Sequence, residues 1–199
     1  GLGAQDPLDA IPDPGQESET SLSAWAAAYL KEFSGSRPRD ERILDVRLER
    51  LRAMYFLSVD DGDWSKIALD SLRSIRSGLP AGSGDLVTVE AYRGALEVVR
   101  AKHARWPPNK LKHLKRGSGI LDGLVEDHPD DLEIRYLRYA SYRFLPVFLK
   151  RDEAVASDQR VLVEGLPNQP QRFSPSLYRG MLRFVLNNAE LLQAESDRL

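Results

Sequence analysis

The chain has 199 residues, with 28 Lys and Arg against 30 Asp and Glu and a formal net charge of −2. That length suits one large domain or two small ones, and the near-balance of charge is too even to imply nucleic acid. The absence of cysteine excludes disulfides, thiolate nucleophiles and Cys-type zinc sites, and no apolar run approaches the roughly 18 residues a membrane-spanning helix needs.

Gly1-Leu2-Gly3-Ala4 before Gln5-Asp6 reads as the end of a signal peptide and its cleavage site, with Leu2 where a small residue is usual. The expectation is a periplasmic or secreted protein. Residues 1–19 carry Asp6, Asp9, Asp13, Glu17, Glu19 and three prolines with little to bury, and so read as a flexible acidic tail. The body, 20–199, reads as a single helical domain and is slightly basic.

Thr20 or Ser21 caps a first short helix with Trp25, Tyr29 and Phe33 along its packing edge. Arg39 to about Ser58 forms a second helix, with Leu44, Leu48, Leu51, Tyr55 and Ser58 as its stripe and Met54 widening it. Asp60-Asp61-Gly62-Asp63 is a tight turn whose Asp63 caps a partner helix from Trp64 to about Ser77. Gly78 is the expected left-handed stop, and the short turn makes the two helices antiparallel neighbours. Leu86 to about His103 is the next helix. Residues 109–127 follow as a helix with Gly117-Ser118-Gly119 as a weak point, one piece or two. A helix capped by Asp152 and running to about Glu164, and one from about Pro175 to Glu195, complete a set of at least seven helices. No alternating β-branched run is bounded by hairpin turns, so the fold reads as all-α.

Between them lies the richest stretch, His128 to Arg151. Pro129 stops the preceding helix, and Asp130 or Asp131 caps the next. Leu132, Leu137, Ala140, Phe144, Val147 and Phe148 share the face expected to be buried, while Arg135, Arg138, Tyr139, Tyr142 and Arg143 line a second face. Pro146 kinks or breaks the helix. The Arg/Tyr stripe has two readings: an anion site built of guanidinium forks and phenol rings, or structural pairing with carboxylates of a neighbouring helix. Asp158 rides the edge of its helix's apolar stripe, where a bare carboxylate is costly, so it is expected to pair with Arg135 or Arg138.

An internal repeat adds architecture. Tyr92-Arg-Gly-Ala-Leu-Glu-Val-Val99 matches Tyr178-Arg-Gly-Met-Leu-Arg-Phe-Val185 at five of eight positions, and Leu137-Arg138-Tyr139-Ala140 falls between them in the same phase. A helix pair recurring every 40-odd residues predicts antiparallel pairs stacked as a solenoid. Small residues at Gly94, Ala140 and Gly180 would allow close helix approach. Gly62-Asp63 between paired helices and His128-Pro129-Asp130-Asp131 resemble tetratricopeptide-like repeats, although the Trp-x2-Leu-Gly-x2-Tyr and Ala-x3-Phe pattern is absent and the spacing exceeds that family's roughly 34 residues. Residues from about Ala91 to Leu162 also look like an uncharacterised bacterial family of exported helical proteins. The likeness is carried by Ala91-Tyr-Arg-Gly-Ala-Leu96, Ala101-Lys-His-Ala104, Lys110-Leu111, Leu114-Lys-Arg-Gly117, Glu133-Ile-Arg-Tyr-Leu-Arg138 and Leu145-Pro-Val-Phe-Leu149. This resemblance implies a helical fold and export and transfers no active site.

The strongest charge run, Arg100 to Arg116, holds seven Lys/Arg and two His with no acid, and Trp106 sits inside it. Lys110, Lys112, Lys115 and Arg116 are its candidate contacts for an acidic partner or an anionic membrane surface; a solvated helix face is the plainer reading. His103, His113 and His128 lack metal-ligand spacing, and the aspartates around Gly62 lack the rest of a calcium loop. No phosphate-binding, dinucleotide, nucleophile-elbow or zinc-protease motif occurs. The sequence therefore predicts a non-enzymatic protein- or peptide-binding module with no catalytic residue, cofactor or metal. The alternative is a small anionic-ligand binder or enzyme using the Arg/Tyr stripe.

Overall fold

Helical periodicity runs through nearly all of the chain that the computed structural model describes, namely residues 26, 27, 30, 31 and 43–189. The tail, the first helix's Trp25, Tyr29 and Phe33, the start of the second helix and everything beyond 189 lie outside the described residues. The described residues contain seven α-helices and no strand. These are α1 (Ile43–Asp60), α2 (Asp63–Arg76), α3 (Gly84–His103), α4 (Pro107–Asp127), α5 (Leu132–Tyr142), α6 (Asp152–Gly165) and α7 (Pro175–Asn188).

Helix α1 packs on α2, α3 on α4, and α5 on α6. Helix α3 also touches α1, α2 and α5, and α4 touches α5, so α3 is the hub. The buried apolar residues from Ala26 to Val185 join into one cluster. The expected stripe of α1 is present, with Leu48, Leu51, Met54, Tyr55 and Ser58 all buried.

The helix starts follow side-chain chemistry. Ser83 Oγ accepts from Leu86 N, Asp131 Oδ1 accepts from Glu133 N and Ile134 N, and Ser174 Oγ accepts from Leu177 N. Two caps differ from expectation. Asp63 is the first residue of α2 rather than its cap, because Asp61 Oδ1 already takes the Asp63 amide. Asp152 likewise begins α6, after Arg151.

Two glycine readings also change, and the close approach expected at Gly94 is present. Among the described residues the left-handed glycine is Gly82, at φ 78°, and not Gly78. Helix α4 runs unbroken through Gly117-Ser118-Gly119, because Gly117 is spent on contact: a Cβ there would lie 2.6 Å from the Gly94 carbonyl oxygen. Gly94 faces back in turn, with Leu121 and Ile120 at 2.9 and 3.0 Å from where its own Cβ would be. The two glycines thus let α3 and α4 cross almost backbone to backbone.

Helix α5 departs furthest from the expected two-faced helix. It ends at Tyr142, and a short 3-10 turn, Val147–Leu149, follows Pro146. Leu132, Leu137, Arg135, Arg138, Tyr139 and Tyr142 are all buried, so both expected faces turn inward. Phe144 and Phe148, expected on the buried face, are exposed, because the chain has left the helix before it reaches them.

Candidate functional site

The Arg/Tyr stripe resolves into a buried ionic network. Arg138 donates Nε to Asp158 Oδ2 and Nη2 to Oδ1, each at 2.8 Å, and Arg135 Nη1 reaches Oδ1 at 2.8 Å. The Asp158 side chain is fully buried, so desolvation demands this double pairing. Arg135 also donates to the Pro129 carbonyl and the Ser157 hydroxyl. Arg138 continues to Asp122 at 3.2 Å, and Asp122 accepts from Arg151 and from the Tyr142 hydroxyl. The Arg151 guanidinium also lies over the Tyr142 ring, 4.9 Å from its centroid. Burial chiefly raises the Tyr142 phenol above its ordinary value and holds it protonated. Arg143 is half-buried and caps the C-terminal end of α7 by donating to the Asn188 carbonyl. As sites for an incoming anion, Arg135 and Arg138 are thus already filled from within. The pairing of Asp158 with Arg135 or Arg138 holds for both arginines at once.

A second network, without a signal in the sequence, centres on Glu133. Arg52 donates to it twice, Nε to Oε1 at 2.7 Å and Nη2 to Oε2 at 2.8 Å, and the Tyr92 hydroxyl donates to Oε1 at 2.7 Å. Arg52 Nη1 holds Glu49 at 2.6 Å. Burial works to raise the Glu133 carboxyl, but Arg52 outweighs it and keeps the group below its ordinary value; burial does raise Glu49. This network joins α1, α3 and α5.

The basic run divides along its length. Lys102 Nζ donates to the Val59 carbonyl at 2.6 Å and His103 Nε2 lies 3.0 Å from the Ser58 carbonyl, so both serve the C-terminal end of α1. Buried Glu97 draws in His113 Nδ1 at 2.7 Å, with Arg100 at 3.4 Å and Arg116 at 3.6 Å. Lys110, Lys112 and Lys115 are exposed. His103, His113 and His128 gather no metal-like set, and no group of three His, Asp or Glu suited to a metal occurs among the described residues. No described helix is long and apolar enough to cross a membrane.

The feature sequence reasoning missed is a groove beside this run, with a volume of about 620 Å³. Buried Val98, Val99 and Ala101 of α3 line it together with Leu111 and Leu114 of α4. Phe144, Leu145, Pro146, Phe148 and Leu149 line it too, as do Ser141 of α5 and buried Tyr55 of α1. Burial pushes the Tyr55 phenol up to about 12, against a hydrogen bond with the Ser141 side chain. Lys102 and Lys110 stand at the groove, and among the described residues lining it none is acidic. Phe144, Phe148 and Leu111 are 70, 79 and 62% exposed around it. The signal was Phe144-Leu-Pro-Val-Phe-Leu149, six uncharged residues in which Pro146 forbids one helical face to bury both phenylalanines. Two lysines, a tyrosine and a serine among apolar residues can hold a ligand, and no histidine or carboxylate stands among the described lining residues.

Comparison with protein families, with curated proteins and with solved structures finds no match to this chain.

Proposed function

We propose that the chain is a non-enzymatic helical-repeat module, exported from the cytoplasm, that receives an apolar segment of a protein or peptide partner in the groove between α3, α4 and residues 144–149. The observation that carries this reading is three large apolar side chains, Phe144, Phe148 and Leu111, left in water around one half-enclosed apolar groove. A stacked-pair architecture is supported by the packing order, in which the first helices of successive pairs, α1, α3 and α5, touch in sequence and each second helix leans on the next pair's first. Helices stacked in this way leave open grooves suited to helical or extended peptides. The alternative, an anion site on the Arg/Tyr stripe, loses support because Asp158 and Asp122 already engage those guanidinium groups.

The test is selection of a random peptide library on the full-length chain, counter-selected on the Phe148→Asp and Leu111→Asp variants. Peptides that bind the native protein and neither variant support the reading. Failure to enrich any peptide, or enrichment insensitive to both substitutions, overturns it.

A further inference from the structure

Resting on that reading of the groove, we infer that the partner segment is acidic, with carboxylates flanking its apolar anchors. Lys102 on α3 and Lys110 on α4 line the groove from two different helices, and the described lining offers no carboxylate to balance them. The Lys102 ammonium donates to the Val59 carbonyl, which uses one of its three donors and fixes its position while leaving the charge and two donors for an incoming oxygen. Exposed Lys112 and Lys115 on α4 extend the same sign beyond the groove.

The rest of the basic run is accounted for differently. His113, Arg100 and Arg116 turn toward Glu97, whose side chain is 6% exposed, so their charge is partly compensated inside the protein. The cations of the run that Glu97 does not meet are therefore Lys102 and Lys110 at the groove, with exposed Arg105, Lys112 and Lys115 beyond it. A segment that buries leucine- or phenylalanine-like anchors between Leu111, Phe144 and Phe148 would place its flanking residues beside Lys102 and Lys110. Lysine or arginine there would meet like charge, and a neutral flank would gain nothing. An acidic flank gains encounter rate and specificity, and its contribution fades with salt because the rim is exposed.

An anionic bilayer is the other class of surface that apolar side chains and lysines together could suit. The groove favours a peptide, since a bilayer would meet the exposed Phe144 and Phe148 and leave the space beside the buried Val98 and Val99 unfilled.

The experiment reads the composition of peptides selected on the full-length protein and then their affinity. Enriched peptides should carry Asp or Glu beside their apolar anchors. The best of them should bind the Lys110→Glu variant about tenfold more weakly than the native protein, a loss that shrinks in high salt. Selection on Lys110→Glu itself should shift the enriched flanks toward Lys and Arg. Lys110 is exposed on the surface of α4, so this variant folds as the native chain does, which its circular dichroism and melting will report. Apolar peptides enriched without any bias of charge would overturn the acidic assignment and leave the groove reading standing. No enrichment over the Phe148→Asp control would overturn both. Vesicles of phosphatidylglycerol that sediment the native chain but not Lys110→Glu, and that acidic peptides fail to release, would assign the surface to a membrane and overturn the proposal.

Discussion

Arg138 holds Asp158 through two parallel bonds of 2.8 Å, and the carboxylate they hold has no exposure to solvent. The relationship ties α5 to α6, and Arg135 repeats it from one helical turn earlier. Removing Asp158 strands two guanidinium groups in a desolvated space, so Asp158→Ala should lower stability by about 3–5 kcal/mol in urea unfolding. Arg138→Lys keeps the charge but loses the fork, and should be clearly destabilising as well. A loss below about 1 kcal/mol for Asp158→Ala would mean that the network is open to water in solution.

This pairing was legible in the sequence because its logic is local: a carboxylate on an apolar stripe needs a cation, and the preceding helix offered two. The helices were legible for the same reason, since a stripe such as Leu48, Leu51 and Tyr55 is a property of one segment. What could not be read were relationships set by packing. Glu133 and Arg52 are 81 residues apart, and nothing in either segment names the other. Gly117 looked like a break because glycine weakens isolated helices, whereas tertiary contact with Gly94 is what it serves. Phe144 and Phe148 were assigned to the core by periodicity counted through residues where the helix has already ended at Tyr142.

The glycines of α4 supply a discriminating test. A Cβ on Gly117 would meet backbone atoms, the Gly94 oxygen at 2.6 Å and the Val98 nitrogen at 2.9 Å, neither of which can rotate away. Gly117→Ala should therefore push α3 from α4 and cost about 1–3 kcal/mol. Gly119 and Gly123 have nothing within 4 Å of the same added atom. Alanine at either should instead stabilise by roughly 0.5–1 kcal/mol, because only helix propensity and unfolded-chain entropy change. Melting curves of the three variants check the opposite signs.

The groove's aromatic side chains should be cheap to lose. Phe148 is the more exposed, and Phe148→Ser should change stability by no more than about 0.5 kcal/mol. Phe144 also meets the Phe184 ring edge-on at 6.2 Å, so Phe144→Ser should cost about 0.5–1.5 kcal/mol. Urea unfolding orders the two. A large loss at Phe148 would show that it supports the fold rather than waiting for a partner.

The Glu133 network predicts a pH dependence with a definite sign. Burial pushes the Glu133 carboxyl up, but the charge and hydrogen bonds of Arg52 and the bond from Tyr92 prevail, so its folded-state value lies below the ordinary 4.5. A lowered carboxyl binds fewer protons folded than unfolded, so its contribution is complete above about 4.5 and is lost as pH falls through the lower folded value. Glu49 behaves oppositely. Burial raises its folded value, so its contribution is greatest at low pH and is lost as pH rises from 4.5 through that raised value. Glu133→Gln should be destabilising at neutral pH, because Arg52 keeps its burial and loses its partner. The gap in melting temperature between native protein and Glu133→Gln should hold steady down to about pH 4.5 and then narrow. Glu49→Gln should steepen the acid limb instead, since it removes the group that favours the protonated folded state. A Glu133→Gln gap that does not narrow in acid would show that the carboxylate's charge is not what Arg52 holds.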